Sequence, residues 1–242
     1  MNLINKLQKF KSFKKAVIVA CGPSTSFVDW DKINQASSED TIFLSCNRIS
    51  LIFNSTEWRP DIYTCFSTNC LNYPDWIASV DACLQEKKIE SFVYSEFKQH
   101  SQLSFFHDNV NFCDSVIEHK NAKGLIKGLI PEDFLNTDLN KSIIKLFSAV
   151  VPLFQICNLL KVEKITVVGQ DGYFKNKENH FNKKYGYEPS KSFEVINKRI
   201  TDLHKELKRY FRKQNVEIFN SSENSILKNV YNFIDLQSFV EE

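Results

Sequence analysis

The residues with the clearest chemical potential close an apolar run near the N-terminus, where Val17-Ile18-Val19-Ala20 is followed by Cys21-Gly22-Pro23-Ser24-Thr25-Ser26. This is the pattern of a buried strand entering a tight turn. In an open α/β sheet such turns lie at the carboxyl ends of strands, where ligands bind. Gly22 lets a ligand approach the backbone and Pro23 fixes the turn, while Ser24, Thr25 and the nearby amides are donors suited to phosphate oxygens. The segment is neither a Walker loop nor a GxGxxG fingerprint. Taken alone, Gly-Pro-Ser is equally well read as a simple turn.

Two further strand ends carry short polar groups. Thr41–Ser45 leads into Cys46-Asn47-Arg48, and Asp61–Phe66 leads into Ser67-Thr68-Asn69. An uncharged carboxamide at Asn47 or Asn69 can pair with a base edge or a sugar hydroxyl; turn or helix-cap chemistry explains either asparagine alone. A second cluster follows the apolar run Ile165–Val168, reading Gly169-Gln170-Asp171-Gly172-Tyr173, then Asn179-His180-Phe181 and Tyr185-Gly186-Tyr187. His180 is the candidate general base, because imidazole titrates near neutral pH and this one belongs to a polar loop rather than an apolar stripe. Asp171 can orient His180, bind a sugar hydroxyl or cap a turn. No Asp-X-Asp pair follows a strand to hold a divalent ion on a diphosphate, so no metal and no cofactor is expected.

These residues need a scaffold that brings strand ends together. Six short β-rich runs are read, at Ala16–Ala20, Thr41–Ser45, Asp61–Phe66, Ser91–Tyr94, Ile165–Val168 and Val216–Phe219. Several are nearly continuous in apolar residues, as strands covered on both faces are, and helical patterns intervene as in βαβ units. The expected fold class is therefore α/β, a mainly parallel sheet sandwiched by helices. Helices are predicted over Pro74–Lys87, Asn140–Lys161 and Lys191–Gln214, with Pro152 kinking or interrupting the second. In the third, Ile196, Ile200, Leu203, Leu207 and Phe211 form one apolar stripe, and the basic residues between them form a solvated face. Residues 95–140 read as an insertion, and the polar, aromatic stretch 172–189 reads as a small lid on one domain spanning 1–242.

Composition excludes several classes. The chain has 242 residues, 43% hydrophobic and 25% charged, with a net charge of +2, which suits a globular protein and gives no basic module for nucleic acid. Seven cysteines show no CxxC or metal-ligand spacing and are read as reduced and mostly buried. No stretch approaches the roughly 20 apolar residues of a membrane span, and the expected location is the cytoplasm. Residues 1–15 place Leu3, Ile4, Leu7, Phe10 and Phe13 at helical spacing among five lysines. This leader either packs beside the first strand or touches the anionic inner face of the membrane.

In this order the pieces resemble the bacterial sialyltransferases of glycosyltransferase family 42 and related surface-polysaccharide enzymes. The likeness runs over most of 14–229, through Lys15-Ala16-Val17-Ile18-Val19, Gly22-Pro23-Ser24, Phe43-Leu44-Ser45-Cys46-Asn47, Asn69 and Val168-Gly169-Gln170-Asp171-Gly172-Tyr173. The resemblance implies a Rossmann-like fold of variant GT-A type and a CMP-linked acidic sugar donor, of the sialic acid or Kdo type. It also implies a glycan or glycolipid acceptor and metal-independent, inverting transfer. It places Gly22, Pro23, Ser24, Asn47 and Asn69 in the nucleotide pocket, with Tyr173 near the phosphate. The family's histidine base lies a few residues beyond a Ser-His-Tyr segment; the matching segment here is Asn179-His180-Phe181, and lysines Lys183-Lys184 follow. The base is then either His180 or another group. Two other readings compete: a Mg²⁺-dependent pterin pyrophosphokinase-like enzyme, and a non-catalytic nucleotide-binding subunit of a polysaccharide assembly complex.

Overall fold

A computed structural model of the chain describes residues 3–67, 71–100, 103, 106–113, 116–118, 143–145, 148–173, 179–183 and 192–242. The order of its elements is α1 (Leu3–Leu7), β1 (Lys15–Val19), α2 (Trp30–Ala36), β2 (Thr41–Cys46), β3 (Ile62–Cys65), α3 (Pro74–Leu84), β4 (Glu90–Tyr94), β5 (Val110–Cys113), β6 (Val116–Glu118), β7 (Ile143–Lys145), α4 (Val151–Leu160), β8 (Lys164–Val168), α5 (Phe193–Lys213), β9 (Glu217–Asn220), β10 (Asn232–Phe233) and α6 (Leu236–Glu241). Eight strands form one sheet in the order β10-β9-β8-β1-β2-β3-β4-β5, with every neighbouring pair parallel. Strands β6 and β7 pair separately.

The strand order explains the apolar runs. β1 is flanked by β2 and β8, and all five of its residues are buried. Alternate side chains serve opposite faces, as a two-residue period requires. Ala16 and Ile18 join Ile42, Leu44, Ile165 and Val167 under α4 and α5, whereas Val17 and Val19 join Phe43, Tyr63 and Val168 under α2, α3 and α6. The result is a three-layer α/β/α sandwich with one apolar core on each face, the fold class expected from the sequence.

Several sequence expectations are sharpened or corrected. The six predicted strands are present, and the sheet adds β5 and β10 at its two edges. β5 lies within the stretch read as an insertion and extends the main sheet beside β4; 119–142 lie outside the described residues. The helix predicted over Asn140–Lys161 starts only at Val151, and Ile143–Lys145 is a strand. Pro152 is the reason: it occupies the first turn, where a missing N–H costs nothing, so it begins the helix rather than kinking it. Helix α5 agrees closely with its prediction and is capped by the Ser192 side chain, which accepts from Val195 N.

The leader packs. Leu7 and Phe10 belong to the core under α4 and α5, and Lys6 and Lys9 face the buried carboxylate of Glu90, with Lys9 Nζ at 2.7 Å. The cysteines Cys21, Cys46, Cys65, Cys83, Cys113 and Cys157 are free and buried. Among the described residues no helix is long and apolar enough to cross a membrane.

His204, on the apolar stripe of α5, is fully buried beside Phe154 and Tyr231. The Tyr231 hydroxyl donates to the His204 carbonyl at 3.0 Å and lies 3.0 Å from His204 Nδ1. A phenol has one proton, so Nδ1 must carry the imidazole proton; Nε2 is left buried without a partner. Burial pushes the imidazole pKa down to about 3 from its usual 6.5. Below pH 6.5 the unfolded chain binds a proton that the folded chain refuses, so stability is complete above that pH. It falls by up to roughly 1.4 kcal/mol per pH unit as the pH drops toward about 3. Urea unfolding at pH 7.5, 6.0 and 5.0 tests this. The His204→Gln variant is expected to start less stable yet show the shallower pH slope, and equal slopes would refute the assignment.

Candidate active site

The chain runs from β1 outward through β2, β3, β4 and β5, then returns to place β8 on the other side of β1 and continues to β9 and β10. Strand order thus reverses between β1 and β8. The loops leaving these two strands diverge to opposite faces at such a switch point and open a crevice at the carboxyl edge of the sheet. The first glycine turn and the Gly-X-Asp-Gly turn found in the sequence are these two loops.

They are interlocked. Ala20 N donates to Val168 O at 2.8 Å and Gly22 N to Gly169 O at 2.7 Å. Gly169 N donates to both Ser24 Oγ (3.1 Å) and Ser222 Oγ (3.0 Å), and those hydroxyls lie 2.7 Å apart. Ser24 N donates to Asp171 Oδ2 at 2.8 Å, and Thr25 Oγ1 donates to Ala20 O at 2.8 Å. A Cβ on Gly22 would meet Gly169 O at 2.3 Å and Asp171 Oδ2 at 2.4 Å. Gly169, at φ +79°, would drive a Cβ into Thr25 Oγ1 at 2.2 Å. Both glycines are required by this close approach.

Beside the interlock lies a cleft of about 200 Å³. Its walls include Gly22 from β1; Asn47, at the end of β2; Ser67, after β3; and Asp171, Gly172 and Tyr173, after β8. Asn179 and His180 complete it, with Trp76 of α3, Gln170 and the Ser148–Pro152 approach to α4. Asn47 has φ 55°, a left-handed conformation that asparagine tolerates better than most residues. Its backbone is fixed by Asn47 N donating to Thr64 O and Tyr63 Oη donating to Asn47 O at 2.6 Å. The Tyr173 backbone is clamped by Asn197 of α5, whose Oδ1 accepts from Tyr173 N at 2.8 Å and whose Nδ2 donates to Tyr173 O at 2.6 Å. The His180 ring stands edge-on to the Tyr173 ring at 5.7 Å, and Phe181 N donates to Cys21 O, tying that segment to the β1 loop.

Electrostatically the cleft is nearly neutral in its described walls. Asp171 is the carboxylate among them, and burial raises its pKa above the usual range while the Ser24 amide opposes that. Its Oδ1 is buried without a partner. The N-terminal end of α4 borders the cleft and favours negative charge through its dipole. Its first amides are already engaged, Val151 N with Ser148 O and Leu153 N with Val150 O. Among the described residues no group of three or more His, Cys, Asp or Glu is placed to hold a metal.

The structure therefore brings Gly22, Asn47, Ser67, Asp171, Gly172, Tyr173 and His180 to one cleft. Thr25 is fully buried, with its hydroxyl committed to Ala20 O. Pro23 and Ser24 border a neighbouring cleft instead, on the far side of Asp171 and Gly172. Asn69, Lys184 and most of the 172–189 stretch lie outside the described residues. Sequence reading missed Ser148 and Asn197. Ser148 was hidden by the overlong helix; placing Pro152 at a helix start would have set Ser148 just before it. Asn197 lies on the polar flank of α5 and carries no motif.

No family model matches the chain, and no curated protein matches it. Solved structures do resemble it. A tyrosine-to-phenylalanine variant of the sialyltransferase CST-II in complex with CMP is 15% identical, with TM-score 0.51, over 93% of this chain and 88% of that one. This chain shares the parallel, Rossmann-like α/β fold of that structure. The MAf glycosyltransferase from Magnetospirillum magneticum AMB-1 is 12% identical, with TM-score 0.52, over 98% of this chain but 39% of that one. CST-II in complex with a trisaccharide acceptor and CMP is 16% identical, with TM-score 0.47, over 93% and 88%. At these identities the likeness is one of fold.

The interlock predicts the cost of breaking it. Gly22→Ala must displace the Gly169 carbonyl or the Asp171 carboxylate, and is expected to lose about 3 kcal/mol in urea unfolding, the upper end for overpacking. A loss below about 0.5 kcal/mol, typical of a surface change, would show that the loops can separate freely.

Proposed function

We propose that this chain is a glycosyltransferase that moves an acidic sugar, of the sialic acid or Kdo type, from a CMP-linked donor to a hydroxyl of a glycan acceptor. The transfer is metal-independent and inverting, and serves the synthesis of a surface polysaccharide or lipooligosaccharide. One observation carries the reading: the switch-point cleft gathers an uncharged carboxamide from the end of β2 with a tyrosine and an imidazole from the segment after β8, beside a helix N-terminus. The fold shared with a CMP-bound sialyltransferase supports it.

In this mechanism Asn47 and Ser67 bind the nucleoside through neutral hydrogen bonds, with Asn69 of the same strand end assigned there by the sequence resemblance. Gly22 and Gly172 line the cleft on the side where the phosphate lies, their missing side chains serving the packing of the loops. His180 removes the acceptor proton as the acceptor oxygen attacks the anomeric carbon, and the bond from that carbon to the phosphate oxygen breaks on the opposite side. The departing CMP phosphate gains negative charge, which the Tyr173 hydroxyl and the α4 dipole stabilise. Ser24, Thr25 and Pro23 act earlier, by holding the β1 loop in the shape the phosphate meets. We place the protein in the cytoplasm, because the six described cysteines are all free thiols, as a reducing compartment maintains. The leader residues 1–15 are assigned to packing, since Leu7 and Phe10 are in the core.

Calorimetric titration with CMP, CDP, UDP, GDP and ATP, each with and without Mg²⁺, tests this. CMP is expected to bind without metal. Asn47→Gly deletes the carboxamide while keeping the left-handed backbone, and is expected to weaken CMP about tenfold, the worth of a lost hydrogen bond. His180→Ala is expected to keep CMP binding and to lower transfer from a CMP-sugar by about 10²-fold or more. Binding of ATP only with Mg²⁺ would instead favour the pyrophosphokinase-like enzyme, nucleotide binding without any transfer would favour the non-catalytic nucleotide-binding subunit, and no nucleotide binding would refute the CMP-donor reading.

A further inference from the structure

A second, larger cleft of about 1380 Å³ lies on the other side of the Asp171–Gly172 wall, between the β1 loop, the loop after β9 and the start of α6. Its volume exceeds the roughly 300–1,000 Å³ of most small-ligand pockets, leaving room for more than one ring. Two of the large apolar side chains that the described surface exposes line it: Phe27, 86% exposed, and Phe233, 52% exposed. Around them the walls carry neutral hydrogen-bonding groups, among them Ser221, Asn224, Asn229 and Gln237. Charges of both signs are present, Lys32 and Lys228 against Asp29, Glu223 and Asp235, so no single-sign field selects a polyanion.

Exposed aromatic faces beside hydroxyls and carboxamides match one chemical class. A sugar ring offers an apolar face of C–H groups to an aromatic ring and a rim of hydroxyls that both donate and accept. A protein partner would leave these concave polar walls imperfectly paired, and a nucleic acid would need net positive charge.

We propose that this cleft is a second binding site for an uncharged oligosaccharide segment, with Phe27 and Phe233 as its aromatic platforms. The inference deepens the glycosyltransferase reading: the cleft shares Asp171 and Gly172 with the transfer cleft, so it holds a more distant part of the glycan whose end reacts next door. This site is separate from the nucleotide pocket.

Saturation-transfer NMR of the full chain with a panel of neutral linear tri- to hexasaccharides of hexose and N-acetylhexosamine tests it. At least one oligosaccharide is expected to bind, and Phe27→Ala or Phe233→Ala is expected to weaken it fivefold or more, with Phe27→Tyr restoring it. Both phenylalanines are solvent-facing, so unchanged thermal unfolding and unchanged CMP titration serve as folding controls. Saturating CMP and the Asn47→Gly substitution are expected to leave this binding in place, which separates the second cleft from the nucleotide pocket. Absence of saturation transfer from the whole panel would overturn the proposal. So would binding that Asn47→Gly abolishes while the phenylalanine variants retain it, or a self-association that the phenylalanine variants dissolve. Failure of CMP to bind, with oligosaccharide binding intact, would refute the CMP-donor reading and leave the glycan site standing.

Discussion

The close approach of the β1 and β8 loops is the constraint on which the rest of the molecule depends. Two parallel strands can be neighbours with loops that merely pass each other; here the loops hydrogen-bond backbone to backbone, through Gly22 N and Gly169 O. That contact extends the sheet's pairing beyond its last residues and leaves no volume for a Cβ on either glycine. It also decides where a crevice opens. Strand order reverses at this pair, so the connections diverge and the cleft forms between their roots.

Polarity at the interlock is consumed in holding it. Ser24, Ser222, Thr25 and the Oδ2 oxygen of Asp171 hydrogen-bond one another and the loop backbone. The groups left facing the cleft come from the next ring outward. Asn47 is presented by a left-handed residue at the end of β2, and Tyr173 is fixed by the two hydrogen bonds of Asn197 from α5. Functional side chains of this kind need support whose own geometry is settled, and here it comes from both layers of the sandwich.

Much of the architecture was legible in the sequence because burial on both faces leaves a strong mark. The run at Val17–Val19 is continuous in apolar residues and Ile165–Val168 is broken by Thr166 alone, and the sheet places both at its centre. The edges were hidden for the converse reason. β5 and β10 are short, and Val110, Asn111, Phe112, Asn232 and Phe233 are half-buried or exposed, so their composition follows the surface rather than the core. Pro152 was ambiguous in one dimension: the same residue breaks a helix interior and begins a first turn, and only the strand at Ile143–Lys145 shows which. At the site, the sequence picked out Gly22, Asn47 and Tyr173 by their positions after strands, and His180 as an imidazole in a polar loop. It did not distinguish the serines that build the loop from the residues that face the cleft, because both roles draw on the same hydrogen-bonding types.

On the glycosyltransferase reading, Asp171 is a carboxyl group standing beside a cleft that takes an anion. Two unit negative charges about 4 Å apart repel by roughly 4 kcal/mol at an effective dielectric constant of 20. An ionised Asp171 would therefore oppose a phosphate in the adjacent cleft. Burial pushes its pKa upward, and the Ser24 amide only partly offsets this. Oδ1, buried and without a partner, is the oxygen with no competing donor. An approaching phosphate shifts the balance further toward the neutral acid, since a like charge disfavours ionisation. On the glycosyltransferase reading, burial and an approaching phosphate therefore act on Asp171 in the same direction, while Oδ2 braces the β1 loop by accepting from Ser24 N.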